Sequence, residues 1–465
     1  MTVTSGMSFT NGTRALVIGV GRSGLATTEV LASRGVHVIA TDEKEPRVLQ
    51  SAIQAIRAFG ARFITPADLD TVLGQIDVAV LSPGVPLAGG LAKRVERANI
   101  PIVSEVEVAF RLCKAPIIAI SGTKGKSTTT ALTGHILRCA GKTVHVGGNI
   151  GNPLISEVGN ADSADWVVAE ISSFQLETIR SFKPRISVLL NLSADHLDRY
   201  DSMDHYVAAK HRIFENQDAG DTFIGNLADD RLYPLREKEM RAKTVWFTDG
   251  PHEPLATLYL RHDEVWHASC PGDLRPEPVM KRSEIPLLGE HNVQNALAAM
   301  LIAHVAGVQT KALRGAVMTF RPMSHRLQTV AEMGGVRYVD DSKATNPGAV
   351  IAALRAFEAP VILIAGGKSK GTDFREMGQV ISSRAKTVVL IGEASDEIAA
   401  TIKGPTVQRA RSMEEAVGRV RDVARTGDVV LLSPGCASFD MFDSAEHRGD
   451  SFVAAVRSIR EHAGA

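Results

Sequence analysis

Short apolar runs recur along this chain, each ending in polar or glycine-rich residues and leading into a stretch with helical spacing. Residues 15–18, 36–41, 77–81 and 100–103 form one series. Residues 115–120, 144–148, 165–170 and 186–191 form a second, and 336–340, 361–365, 387–391 and 429–433 a third. Such runs, rich in Val, Ile and Ala and bounded by turn signals, predict buried strands of parallel sheets. The intervening stretches 25–34 and 128–140 carry helical spacing and are closed by Gly35 and Gly141. The fold class expected is α/β in three domains, 1–113, 114–322 and 323–465. The first is Rossmann-like, the second a parallel sheet of the phosphate-loop ATPase type, and the third again Rossmann-like. The interval 216–285 is the least regular. Its strand-like pieces, 244–247 and 264–266, predict a small antiparallel flap on the central domain.

Length agrees with this division, since 465 residues exceed one ordinary core and suit about three domains. The 52 basic residues balance 52 acidic ones, which gives no footing for nucleic acid or for a polybasic membrane surface. Cys113, Cys139, Cys270 and Cys436 lie far apart without metal-type spacing, as in a reducing compartment. The first twelve residues hold no apolar signal core, and no run approaches the roughly 18 residues of a membrane span. A soluble, cytoplasmic protein is expected.

Two glycine motifs carry the chemistry. Gly19-x-Gly21-x-x-Gly24 joins the first strand to a helix, with Asp42 about 20 positions on, the fingerprint of a dinucleotide-type βαβ unit. The segment stops near one mononucleotide half and shows no hydride-transfer site, so a nucleotide diphosphate fits better than a nicotinamide. Ser121-Gly-Thr-Lys-Gly-Lys-Ser127 lies between a strand and a helix. Its backbone N–H groups can cradle phosphate, Lys126 adds charge, and Ser127 can hold Mg²⁺. Ile120 stands where a strict P-loop has glycine, so the motif is the shorter Gly122-x-x-Gly125-Lys126-Ser127.

Further polar groups stand at strand ends. Glu170 closes an apolar run, where a carboxylate needs a partner or a metal. His196 follows the next strand and points at the same sheet edge, where open parallel sheets bind ligands. Lys210, by itself, reads as a solvated helix lysine. Asn292 and Asn295, one turn apart, can offer amides to a base edge or serve as cap and surface. Asp341, Lys343, Lys370 and Ser438 sit in strand-end loops of the third segment, a set suited to a small charged molecule.

Taken together, Gly122–Ser127, Gly148-Asn-Ile-Gly151, Glu170-Ile-Ser-Ser-Phe-Gln175, the stretch from Asn191 to Tyr200, His291-Asn292, His325-Arg326 and Asp340-Asp-Ser-Lys-Ala-Thr-Asn346 closely resemble the Mur ligases. The resemblance spans the chain from about residue 14, and the short glycine loop is the form that family uses. It implies a UDP-substrate-binding first domain, an ATP-binding second and an amino-acid-binding third. Within the family it implies the members that join D-glutamate to UDP-N-acetylmuramoyl-L-alanine with ATP and Mg²⁺, through an acyl phosphate. The matched positions then acquire roles. Gly122, Thr123, Lys124, Gly125, Lys126, Ser127, Thr128, Asn292, Asn295, Arg326, Asp341 and Lys343 contact ATP. Ser127, Glu170, His196 and a carbamylated Lys210 serve the metal, with Lys126, His196 and Lys210 catalytic. Arg22, Ser23, Asp42, Ser82, Asn149, Ser172 and Gln175 meet the UDP-substrate, and Thr345, Lys370 and Ser438 hold D-glutamate. The expected state is monomeric, with hinges near residues 113 and 322. Two positions depart from relatives: Glu43-Lys44, where Thr-Arg often stands near the uracil, and Ala445, where a relative carries an aromatic ring.

Overall fold

The computed structural model describes residues 8–159, 161–195, 199–250, 253–369 and 371–463. Its strands fall into three sheets, which belong to two compact units. The first unit comprises residues up to Ile285 together with Gln294–Phe320; the second comprises Pro286–Val293 and Arg321 onward.

The N-terminal sheet consists of β1 (Arg14–Ile18), β2 (His37–Thr41), β3 (Arg62–Phe63), β4 (Val78–Leu81) and β5 (Ile102–Ser104), in the order β3-β2-β1-β4-β5. Every pairing in it is parallel. β1 is central and buried after its first residue, as a strand covered on both faces must be. The chain leaves it through Gly19, which adopts φ +89° and comes so near Ser82 and Val85 that a side chain there would collide with both.

The central sheet has nine strands. They are β6 (Ile117–Ser121), β7 (Val144–Gly148), β8 (Trp166–Glu170), β9 (Ile186–Leu189), β10 (Thr222–Asn226), β11 (Lys243–Thr248), β12 (Leu258–Arg261), β13 (Glu264–His267) and β14 (Glu277–Lys281). The order is β14-β13-β12-β11-β10-β9-β6-β8-β7. β6, β8 and β9 are parallel neighbours, so their carboxyl ends share one edge. The expected antiparallel flap is present, but one of its two pieces lies elsewhere. The run 244–247 lies in β11, which pairs in parallel with β10 and extends the main sheet. Only β12, β13 and β14 are mutually antiparallel, and they form the margin of that same sheet.

One apolar cluster runs through this first unit, from Val17 and Val80 through Val106 and Val108 to Ala119 and Val167. The helix Glu105–Leu112 makes the connection. Ser104 caps it, and its first-turn carboxylate Glu107 accepts the N–H groups of Arg180, Ser181 and Phe182 at 2.8–3.0 Å.

The second unit contains β15 (Gln328–Met333), β16 (Val336–Asp340), β17 (Val361–Gly366), β18 (Ala385–Ile391), β19 (Thr406–Arg409) and β20 (Val429–Gly435), in the order β15-β16-β20-β17-β18-β19. Only β15 runs antiparallel. Its two faces are filled by separate clusters, one around Leu363 and Leu431, the other around Ile364 and Leu432. Among the described residues, no helix is long and apolar enough to cross a membrane.

Candidate functional site

The carboxyl edge of the central sheet holds the phosphate loop. β6 is buried throughout, and Gly122 turns away from it at φ +148°, where a β-carbon would lie 3.0 Å from that of Leu190. Gly125 caps the helix Lys126–Cys139 in the left-handed conformation, φ +82°. A β-carbon on Gly125 would lie 2.0 Å from the Asn295 Oδ1, so only glycine fits between loop and helix Glu290–Val305. The loop is held from several sides. Thr123 N–H donates to Asn191 O at 2.9 Å, Lys124 N–H donates to Asn191 Oδ1 at 2.8 Å, and the Thr123 and Tyr206 hydroxyls are 3.1 Å apart. Lys126 folds over the loop and donates to Gly122 O at 3.0 Å and Thr123 O at 2.8 Å. Ser127 and Thr128 open the helix, half-buried, where backbone N–H groups and the helix dipole favour an anion.

Lys210 is the clearest departure from its sequence reading. It is not solvated: 1% of it is exposed. Its ammonium donates to Gly122 O at 2.8 Å and Ser121 Oγ at 3.3 Å. Burial, reinforced by the charge of Lys126, holds its pKa well below the usual lysine range, against the pull of Asp195 and Glu170. Glu170, at the end of β8, accepts from Asn149 Nδ2 at 2.7 Å through Oε1. Its Oε2 is buried with no hydrogen-bond partner among the described residues. A buried carboxylate oxygen left open suits a hard cation. Among the described residues no three His, Cys, Asp or Glu side chains gather as a metal cage. A lone open carboxylate oxygen is a donor of the kind Mg²⁺ accepts, since that ion binds through one or two carboxylates and takes its remaining ligands from phosphate and water. His196 lies outside the described residues.

A cavity of about 560 Å³ opens beside this edge, within the same unit. Arg22, Ser23, Asp42, Ser82, Asn149 and Gln175 line it, as do Glu43 and Lys44. Asp42 is fixed by the N–H groups of Val20 (2.8 Å) and Lys44 (2.9 Å). Ser82 donates to Gly19 O at 2.7 Å, and Arg22 reaches Gly151 O at 2.6 Å. Ser172 is not in the lining. It caps the short helix Ser173–Leu176 in a capping box with Gln175, and so sets the angle of that residue. Behind Gln175 lies Glu105, a fully buried carboxyl that accepts Ile155 N–H at 2.6 Å. Desolvation raises its pKa to about 7, opposed by the N–H groups of Ile155 and Leu154 and by the Gln175 amide. Sequence reasoning passed over Glu105 and Tyr206. The signal for Tyr206 was its spacing of four from Lys210 on one helix.

In the second unit, the adjacent strands β16, β20 and β17 bring another group of residues to one edge. Asp341 accepts Leu327 N–H at 3.2 Å and the Ser433 hydroxyl at 3.0 Å, and burial raises its pKa to about 7. Lys343 pairs with Glu446. Ser438 is buried, while Thr345 is half-buried after the same loop. Arg448, unremarked in the sequence, is fully buried. It donates to Ser342 O at 2.9 Å, Ser342 Oγ at 3.0 Å and Cys436 O at 3.2 Å, tying these loops together. Ala445 begins the last helix and accepts the Ser342 hydroxyl at 2.7 Å. Asn292 donates to Leu288 O at 2.6 Å, and Arg326 is half-buried beside Asp341, whose carboxyl it pulls downward. Lys370 lies outside the described residues.

Asn295 abuts the phosphate loop and accepts from Thr129 Oγ1 at 3.3 Å.

Three family profiles match the chain in order: the Mur ligase MurD-like N-terminal domain over residues 13–104, the Mur ligase middle domain over 120–303, and the Mur ligase glutamate ligase domain over 325–436. Proteins named UDP-N-acetylmuramoylalanine--D-glutamate ligase are similar along nearly their whole length. The one from Pelotomaculum thermopropionicum is 40% identical over 96% of this chain and 98% of its own. The one from Koribacter versatilis is 41% identical over 97% and 98%. Among solved structures, the UDP-N-acetylmuramate-alanine ligase MurC of Thermotoga maritima shares the fold, with TM-score 0.60, 19% identity and coverage of 96% and 99%. MurF of Acinetobacter baumannii does so with TM-score 0.61, 16% identity and coverage of 94% and 93%. With its ordered domains and its full-length relatives at about 40% identity, the chain belongs to the Mur ligase family of ATP-dependent ligases.

Proposed function

We propose that this ligase joins D-glutamate to UDP-N-acetylmuramoyl-L-alanine at the expense of ATP, in the cytoplasmic synthesis of peptidoglycan precursors. The observation that carries this is the hydrogen bond from Asn149, in the cavity wall, to Glu170, at the phosphate-loop edge. A nucleotide-sugar lying in the cavity brings its far end to that edge. The names of the relatives at about 40% identity support the choice of substrates.

The L-alanyl carboxylate attacks the γ-phosphorus of ATP; the bond to the ADP oxygen breaks, and an acyl phosphate forms. The amine of D-glutamate then attacks the acyl carbon and loses a proton, an amide bond forms, and inorganic phosphate leaves. A carboxylate is too poor an electrophile to be aminated directly, so the first step supplies the leaving group. Lys126 and Lys343 offset the charge of the converging anions. Ser127, Glu170 and His196 would hold Mg²⁺, which when bound would supply neutralisation of phosphate charge. Catalysis rests on this positioning.

Lys210 acts as its carbamate in this proposal. Burial and the nearby Lys126 charge lower its pKa and so favour the neutral amine, the form that adds to CO₂ with loss of one proton and leaves an anionic ligand in place of an ammonium. Gly122 to Thr128, Asn292, Asn295, Arg326 and Asp341 serve ATP. Arg22, Ser23, Asp42, Ser82, Ser172 and Gln175 serve the UDP-substrate, and Thr345, Lys370 and Ser438 serve D-glutamate. The domain limits 113/114 and 322/323 and a monomeric state belong to the same proposal.

The test is ADP release. It should require both UDP-N-acetylmuramoyl-L-alanine and D-glutamate; release with neither, or only with another amino acid, contradicts the assignment.

A further inference from the structure

We infer that Arg199 couples the nucleotide-sugar cavity to the phosphate loop. It is a positioning residue for the reaction proposed above, on which this inference rests. Its guanidinium lies behind the cavity rim, where Nη1 donates to Pro83 O at 3.1 Å and Nη2 reaches Val85 O at 3.5 Å. Pro83 and Val85 both line the cavity. The same Nη2 donates to Glu177 Oε2 at 2.9 Å, and the guanidinium carbon stands 3.9 Å from the centre of the Phe174 ring. Both charged partners are largely withdrawn from water, with 17% and 15% of their side chains exposed. An ion pair so shielded is screened little by salt.

From Glu177 the contacts continue inward. Its Oε1 accepts the Tyr200 hydroxyl at 2.6 Å. The Tyr200 ring stacks on Phe174 at 5.9 Å between centroids and meets Tyr206 edge-on at 5.4 Å. The Tyr206 hydroxyl is 3.1 Å from that of Thr123, whose backbone carbonyl accepts Lys126 Nζ at 2.8 Å. Rim carbonyls, guanidinium, carboxylate, two phenols and the loop threonine thus form a continuous chain of directional contacts. A diphosphate that fixes the rim also fixes Arg199, and through it the orientation of Thr123 in the loop. Part of the ordering required by ATP is then already done, which is positive coupling by linkage. A lysine could not perform this task. The site uses a planar fork that bonds two carbonyls and a carboxylate while stacking on a ring, and an ammonium has no such shape.

Calorimetric titration of UDP-N-acetylmuramoyl-L-alanine, with and without a non-hydrolysable ATP analogue and Mg²⁺, tests this on the full chain. In the unsubstituted protein the analogue should tighten the nucleotide-sugar by about fivefold or more. Arg199→Lys and Glu177→Gln should bring that factor below about twofold while each changes the Kd of the analogue alone by less than about twofold. Loss of the coupling factor alone marks positioning, because a merely structural defect would weaken the analogue as well. Tyr206→Phe, which removes one hydroxyl, should also lower the factor and serves if the other variants do not fold. An unchanged factor in the variants, or no mutual tightening in the unsubstituted protein, overturns the inference. Failure of the unsubstituted protein to bind the nucleotide-sugar at all overturns the proposed function, and the inference with it, and is a distinct result.

Discussion

Asn149 donates to Glu170 at 2.7 Å and so joins the cavity wall to a strand end whose other carboxylate oxygen is buried without a hydrogen-bond partner among the described residues. The pair orders one oxygen and leaves the second open, as the proposed cation site requires. Asn149→Ala should free the carboxylate to rotate, and the Mg²⁺ concentration for half-maximal activity should rise about tenfold. Glu170→Ala should remove activity more severely, on the order of 10²-fold in kcat. Mg²⁺ titrations of initial rate check both.

Lys210→Ala should lower kcat on the order of 10²-fold, with the fold retained on thermal melting. Lys210→Arg should be no better, since a guanidinium keeps its charge and forms no carbamate. Short-chain carboxylic acids should restore part of the Ala variant's activity. Full activity in that variant would exclude the carbamate.

Glu105 makes stability depend on pH in a definite direction. Its carboxyl titrates at an ordinary 4.5 when unfolded and at about 7 when folded. Between those values the folded protein binds the proton more tightly, so this group's contribution to stability falls as pH rises through the window and is level above it. The total is about 3 kcal/mol. Glu105→Gln, which keeps an acceptor for Ile155, should remove this slope. Its melting temperature relative to the unsubstituted protein should therefore increase between pH 5 and pH 8.

Arg448 holds the loops that carry Asp341 and Ser438. Arg448→Met would take the side-chain donor from buried Ser342 O and Cys436 O, while Ala437 O would keep the Lys368 N–H at 2.9 Å. The loss should be on the order of 3 kcal/mol in urea denaturation. Arg448→Lys should recover part of it.

The sequence makes the strand-ends legible because parallel strands buried on both faces must be written as unbroken apolar runs, as in β6 and β17. The glycine loops follow from φ values that other residues avoid. Three features were hidden for identifiable reasons. β11 has two exposed residues before its buried ones, a pattern that does not separate a parallel strand from a flap. β3 is two residues long and carries no periodicity. Lys210 sits on a helix, Met203–His211, without a marked apolar stripe, so its burial depends on the loop and strand ends that surround it. Likewise Arg199 and Tyr206 reach partners more than eighty positions away, Pro83 and Thr123, which local sequence spacing does not reveal.

The most direct test of the chemistry uses UDP-N-acetylmuramoyl-L-alanine carrying ¹⁸O in both oxygens of its L-alanyl carboxylate, turned over with ATP and D-glutamate. If the carboxylate is phosphorylated first, one labelled oxygen leaves with the phosphate, and mass analysis should find a single ¹⁸O in each inorganic phosphate released. Phosphate free of label, formed along with the amide product, would contradict the account.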